Sequence, residues 1–161
     1  MTRSRTVTWD DPAATAALVR GRSGLEALQA MIAGEIPPPP IVRLLGINMA
    51  TVAHGVVTME LPIGEYLYNP IGSVHGGVAA TLLDSVMGCA VQSTLPHGRL
   101  YTTLELKISY IRPITVATGI VTATGRTISS GRKAAFAEGQ ITDAEGKLLV
   151  TASTTCAVWE M

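Results

Sequence analysis

Asp84 is the lone charge in a run of about eighteen otherwise uncharged residues that starts just after His75-Gly76-Gly77 and contains no proline. The run is too long for an ordinary strand and apolar on nearly every face, which predicts a helix buried on most sides. A carboxylate in such a helix is expensive to desolvate, so it needs a partner or a chemical task. The glycines before it sit where the helix must begin. A helix start presents unpaired N–H groups and the positive end of the helix dipole, and glycine lets a ligand approach the backbone closely. Such donors suit an oxyanion hole for acyl chemistry. They equally suit a phosphate, and a glycine pair can also stand before a helix for steric reasons alone.

The spacing constrains how these groups work together. Asp84 lies eight residues after Gly76, roughly 12 Å along a helix axis, whereas the carbon and oxygen of a carbonyl are only about 1.2 Å apart. Gly76 and Asp84 of one chain therefore cannot act on one carbonyl. Two antiparallel copies of the helix would set Gly76 of one beside Asp84 of the other, with Ala79, Ala80, Gly88 and Ala90 small enough to permit close approach. The expectation is a composite site at a two-fold interface, two per dimer. The plainer alternative has Asp84 bonded to backbone or to a serine of the sheet. His75 reads as an orienting side chain at the turn rather than a general base, since nothing acidic lies nearby in sequence to fix its tautomer. His54 and His97 fall in predicted turns and read as solvated.

The rest of the chain must position that helix. Asp11-Pro12 is an N-cap followed by proline at the first helical position, and Ser23 with Glu26 makes a capping box before a helix whose Leu25, Leu28 and Ile32 share one face. Pro37 to Pro40 form an extended connector, and Gly46 ends a short helical turn. From Ile47 the period becomes two. A hairpin turns near His54-Gly55, with Val57, Met59 and Leu61 on one face. After the long helix, Arg99–Pro113 alternates Leu104, Leu106, Ile108 and Tyr110 against Thr103, Glu105, Lys107 and Ser109. Two or three further strands follow, the last two joined by a turn at Asp143 to Gly146. Helices, two strands, one long helix and about four strands predict an α+β fold, a curled antiparallel sheet around a single helix. Residues 1–40 read as a helical extension with a proline-rich connector, an appendage or lid to the main domain at 41–161. Leu82, Met87, Val91 and the leading helices are the expected walls of a substrate pocket.

Composition narrows the function classes. The chain has 161 residues, zero formal net charge, 15% charged and 47% hydrophobic residues, which argues against nucleic acid as a partner. Many small residues and a weakly charged surface suggest a subunit interface. Cys89 and Cys156 lack metal-ligand spacing and read as buried thiols of a reducing compartment. No apolar leader follows the polar first residues, and Asp84 with the glycines makes the long helix a poor membrane segment. The expected setting is cytoplasmic, with no membrane partner.

The stretch YNPIGSVHGGVAATLLDSVMGCA, with the later SGRKAAFAEGQITDAEGKLLVTASTTCAV, resembles the hotdog-fold acyl-CoA thioesterases, in particular the phenylacetate-degradation (PaaI-like) branch. The resemblance covers about residues 41 to 158. It implies a long helix wrapped by a five- or six-stranded antiparallel sheet, in homodimers that assemble into homotetramers. It implies Asp84 as nucleophile or as general base on water, Gly76 as the amide that polarises the thioester carbonyl, and His75 as support for that turn. Asn69 would position the thioester or the water, and Thr103 would stand near the water. Gly77, Ser130, Gly131, Arg132 and Lys133 would bind substrate, the last four at the nucleotide end of coenzyme A. No metal and no cofactor are implied, since coenzyme A enters as part of the substrate. Two other readings remain beside hydrolysis. One is a non-catalytic acyl-CoA-binding regulator. The other is a hotdog hydratase acting on enoyl or 3-hydroxyacyl thioesters.

Overall fold

The computed structural model describes residues 1–160. Three short helices, α1 (Pro12–Arg20), α2 (Gly24–Ile32) and α3 (Pro40–Leu45), precede the hairpin of β1 (Asn48–Ala53) and β2 (Val56–Pro62). The long helix α4 (Gly76–Gln92) follows, and then β3 (Arg99–Tyr110), β4 (Ile120–Ser130), β5 (Ala134–Thr142) and β6 (Leu148–Glu160). The caps act where the sequence puts them. Asp11 accepts from the Ala13 N–H, Ser23 and Glu26 close a reciprocal capping box, and Gly46 ends α3 at a φ of 82°, which only glycine adopts freely.

All six strands form one antiparallel sheet in the order β1-β2-β4-β5-β6-β3. The sheet curls around α4, so Leu82, Leu83, Val86, Met87 and Val91 are fully buried against Val57, Met59, Leu61, Val121, Ala137, Ile141 and Val150. Burying each such side chain contributes roughly 1.5–3 kcal/mol. The hairpin is fastened to the far end of the helix: Ser93 Oγ accepts from the Gly55 N–H at 2.8 Å and donates to the Ala90 carbonyl at 2.7 Å.

Three expectations change. The buried face of α2 is Gly24, Ala27, Leu28 and Ala30, while Ile32 is exposed; α2 packs directly on α4, where Gly24 meets the Gln92 carbonyl. Leu82, Met87 and Val91 face the sheet with no exposed surface, so they are core and not pocket wall. The alternation of β3 breaks at a bulge between Thr103 and Glu105. Leu104, the unpaired extra residue, points outward and is 66% exposed. Tyr101 and Thr103 therefore share the inward face with Leu106, Ile108 and Tyr110, because one added residue reverses the period-two parity.

The helix can lie this close to the sheet because two strands carry glycine beneath it. A Cβ at Gly125 would stand 2.5 Å from the Val86 carbonyl oxygen, and one at Gly139 would stand 2.8 Å from Met87 Cγ. Gly125→Ala must push against helix backbone, which cannot swing aside. It should destabilise the fold by about 1–3 kcal/mol, the range for overpacked cores, read as a lower midpoint in chemical denaturation.

Candidate active site

The N-terminus of α4 is built around His75. Its backbone is extended (φ −60°, ψ 133°), and its Nδ1 accepts the Gly77 N–H at 2.9 Å, capping the helix. That bond fixes the neutral tautomer with the proton on Nε2. The partner that sequence proximity did not supply is thus a backbone amide. The His75 carbonyl accepts from the Val78 N–H at 2.9 Å. The Gly76 N–H donates to no acceptor among the described residues and opens toward a cavity of about 560 Å³.

Asn69, Ser73, Tyr110, Arg112, Ile114 and Val150 are among the residues lining this cavity, with the His75-Gly76-Gly77 turn. Asn69 shapes the loop that leads to the helix: its Oδ1 accepts from the Ile71 and Ser73 N–H groups, and its Nδ2 donates to Ser73 Oγ at 3.1 Å. Tyr110 Oη donates to the Gly76 carbonyl at 2.9 Å. Tyr68 Oη accepts from the Val116 N–H at 2.7 Å and braces the adjoining loop. Arg112 is the cationic side chain of the cavity, and its guanidinium also donates to the Leu148 carbonyl. Sequence reasoning missed Tyr110 and Arg112 as site residues. The signal was their position at the end of the strand that follows the helix, which only the sheet order makes adjacent to Gly76.

Asp84 lies two turns further along α4 and does not line that cavity. It is half-buried, on the helix face that also shows Gly77, Ala80, Thr81, Ser85 and Gln92 to the surface. Ala79, Gly88 and Ala90, expected on that face, are buried instead, and a Cβ at Gly88 would lie 2.4 Å from Tyr101 Oη. Thr103 Oγ1 donates to Asp84 Oδ1 at 2.8 Å, so the bulge aims Thr103 at the carboxylate. Asp84 makes no other hydrogen bond to a described residue.

Its neighbours register both burial and its charge. Burial first, and the Asp84 carboxylate second, push the Cys89 thiol from its ordinary 9.0 to about 12. Burial likewise raises the Tyr101 phenol well above its usual value, with Cys89, Cys156 and Asp84 adding to the effect. Cys156 is raised mainly by burial, against opposing hydrogen bonds from Thr154 and Thr103. Both cysteines are free thiols.

Ser130, Gly131, Arg132 and Lys133 sit at the β4–β5 turn, beside the C-terminal end of α4, where Ser130 Oγ and Thr94 Oγ1 share a hydrogen bond of 2.9 Å. The Gly131 N–H is taken by the Ala134 carbonyl at 2.8 Å. The Arg132 and Lys133 side chains are exposed and form no ion pair among the described residues. One protomer therefore separates three parts: the Gly76 amide, the Asp84–Thr103 pair and the basic turn. No group of three His, Cys, Asp or Glu side chains suited to a metal occurs among the described residues, and no described helix is long and apolar enough to cross a membrane.

The profile of the thioesterase superfamily matches residues 71–150, the span that carries α4 and the strands β3, β4 and β5. Acyl-coenzyme A thioesterase 13 of Homo sapiens is 33% identical over 109 residues, covering 66% of this chain and 76% of that protein. The chain belongs to the thioesterase superfamily. A 1,4-dihydroxy-2-naphthoyl-CoA hydrolase of Listeria monocytogenes is 28% identical across 71% of this chain and 91% of its own length. Among solved structures, a phenylacetic acid degradation-related protein from Ralstonia eutropha superposes with a TM-score of 0.73 at 30% identity, covering 80% of this chain and 97% of that one. The PaaI protein of E. coli shares the fold, at a TM-score of 0.72 and 19% identity over 84% of this chain and 92% of its own. The hotdog architecture of this superfamily is thus the one described above, a single helix held in a curled antiparallel sheet.

A thiol held at about 12 is almost wholly protonated at pH 8. Native Cys89 should therefore react with a disulfide reagent about a thousandfold more slowly than an ordinary cysteine, three units of pKa separating their thiolate fractions. Unfolding in guanidinium should restore normal labelling, which mass spectrometry of the tryptic peptide would show.

Proposed function

We propose that this thioesterase hydrolyses an acyl-CoA thioester to a free acid and coenzyme A at a site shared by two protomers. The observation that carries the reading is the separation within one chain. A free Gly76 amide faces one cavity, and the Thr103-oriented Asp84 lies on an open stripe of the same helix, roughly 12 Å away. Antiparallel contact between two such stripes brings each amide to the other chain's carboxylate. The half-buried side chains along the stripe, Ala80, Thr81, Ser85 and Gln92, are small or polar, which allows close approach. The edge strand β3 supports the same pairing, since it is twelve residues long and unpaired on one side. An edge of that length favours adding a strand from a second copy. Dimers of this kind then pair into a tetramer.

In the composite site the Gly76 N–H, reinforced by the helix dipole, stabilises the negative charge that develops on the thioester oxygen. Asp84 of the facing protomer supplies the other half. It takes a proton from water as the water oxygen bonds to the carbonyl carbon, or it attacks that carbon itself and the resulting anhydride is hydrolysed. Either way the C–S bond breaks, the thiol of coenzyme A takes up a proton, and one water is consumed. Thr103 holds the carboxylate, Asn69 shapes the loop beside the thioester, and His75 keeps Gly77 engaged so that Gly76 alone points outward. Antiparallel helices also bring the partner's β4–β5 turn toward this end of α4. Ser130, Arg132 and Lys133 there, with Arg112 at the cavity wall, suit the phosphates of coenzyme A. The Gly131 amide, already bonded, contributes shape rather than a donor. Two free thiols, Cys156 buried and Cys89 half-buried, accord with a cytoplasmic setting.

Thiol release from phenylacetyl-, benzoyl-, hexanoyl- and lauroyl-CoA should be measurable with the native chain. It should fall by about a hundredfold or more in Asp84→Ala, the scale of a lost acid–base group. Survival of activity in that variant would remove Asp84 from the mechanism, whereas binding of acyl-CoA without thiol release would favour a regulator.

The shared site has its own test. Gly76→Pro removes the amide at a helix position that accepts proline, after a residue already extended. Its new Cβ would press on the half-exposed Tyr110 ring alone, at 3.0–3.3 Å, a side chain with open space to move into. Asp84→Ala and Gly76→Pro chains should each be inactive alone. Refolded together, they should regain about a quarter of native activity, since half the dimers are mixed and each holds one intact site. Two sites confined within single chains would give no recovery.

A further inference from the structure

We propose that Tyr110 is a positioning residue for the oxyanion donor: its hydroxyl, donated to the Gly76 carbonyl, and its ring, laid against the Gly76 Cα, hold the first turn of α4 so that the Gly76 N–H faces the cavity. This rests on the hydrolytic reading above and extends it to a residue outside the carboxylate–amide pair.

The peptide joining Gly76 to Gly77 is gripped at both ends. Its N–H donates to His75 Nδ1 at 2.9 Å, and its carbonyl accepts from Tyr110 Oη at 2.9 Å. The preceding peptide, which carries the Gly76 N–H, is anchored by its own carbonyl to the Val78 N–H. With both neighbouring planes fixed, the Gly76 amide has one orientation left. The Tyr110 ring completes the restraint. A Cβ at Gly76 would lie 3.0 Å from Oη, 3.1 Å from Cζ and 3.3 Å from Cε1, so the ring fills the volume a side chain would occupy. Gly76 is thus glycine partly for the sake of Tyr110.

The strand register shows that this contact depends on a specific device. Thr103 and Tyr110 are seven residues apart, an odd number, and in a regular strand they would face opposite sides. The bulge at Leu104 reverses the parity, and it leaves a large apolar residue 66% exposed in doing so. What the bulge achieves is to let one strand reach both active groups of the helix: Thr103 to Asp84 and Tyr110 to Gly76. Tyr110 is itself 53% exposed. Burial therefore does not force its hydroxyl onto the Gly76 carbonyl, since water was available to it.

The test uses Tyr110→Phe, which keeps the ring and removes the hydrogen bond, and Tyr110→Leu, which removes both. Steady-state kinetics would be run on the best substrate of the four acyl-CoAs. The amide resonance of Gly76 would be followed in glycine-selective ¹⁵N spectra, and thermal midpoints would report folding. The expected result for Tyr110→Phe is a kcat about tenfold lower, the scale of one neutral hydrogen bond, with KM within about twofold. The Gly76 amide resonance should move while the thermal midpoint stays near native, and Tyr110→Leu should lose more activity. Native kcat with an unmoved Gly76 resonance in Tyr110→Phe would overturn the assignment. So would a raised KM at native kcat, which would make Tyr110 a substrate contact instead. If the native chain releases thiol from none of the four esters, the hydrolytic reading is what fails. The Gly76 resonance then decides alone: displacement in Tyr110→Phe upholds the contact's control of the amide, and no displacement refutes it.

Discussion

The hydrogen bond from Thr103 to Asp84 is the constraint on which the remaining structure turns. A carboxylate on a helix enclosed by an apolar sheet has to be either neutralised or solvated, and here it is held half-open with one oxygen engaged. Thr103 can reach it only if its strand turns that residue inward, which requires the bulge. The bulge then sets the facing of every later residue on β3, including Leu106 and Ile108 in the core and Tyr110 at the helix start. One polar contact near the middle of the helix thereby fixes the strand's alignment along it.

The helix can occupy this position because of what the strands omit. Gly125 and Gly139 clear the floor beneath Val86 and Met87, allowing the sheet to curl tightly and bury the apolar face of α4. The opposite stripe is left with small and polar groups. The same tight wrapping gives Cys89, Cys156 and Tyr101 surroundings that disfavour charge. Asp84, in the same cluster, is met by the Thr103 hydroxyl. The helix therefore has two contrasting faces, one dry and one open, although its sequence is apolar almost throughout.

Much of this was legible in the sequence, for local reasons. Ser23 with Glu26, Asp11 before Pro12, and Gly46 each act within a few residues, and the β2 alternation survives intact, with Val57, Met59 and Leu61 buried, because the irregularity in its pairing with β1 falls on β1. Asp84 and Gly76 stood out because a charge and a glycine pair are conspicuous in an apolar helix. The bulge did not, since TTLELKISY alternates without a flaw. The break coincides with contacts from distant parts of the chain: Thr103 reaches Asp84, nineteen residues away in sequence, and the Thr154 hydroxyl donates to the Glu105 carbonyl. Leu82, Met87 and Val91 misled for a related reason. A helix apolar on most faces does not reveal which of them meets the sheet, and the glycines of β4 and β5 decide that from elsewhere. Tyr110 and Arg112 were invisible as site residues because their nearness to Gly76 is a product of sheet order.

Placing the two halves of the site eight residues apart on one helix has a consequence for how activity and assembly are linked. A straight helix cannot fold Gly76 back to its own Asp84, so no loop movement within one protomer completes the site on the composite reading. On that reading association does, and the contact that would bury the open stripe is the contact that would assemble the chemistry. The free energy of that contact is then shared with catalysis: anything that loosens the stripe or the β3 edge lowers the population of complete sites before it alters any reacting group. The bulged strand lies at the centre of this coupling. Its inward face holds Asp84 and the Gly76 turn in place, and its outer edge is the one proposed to receive a second copy. On that proposal, geometry within the protomer and pairing between protomers are set by the same twelve residues.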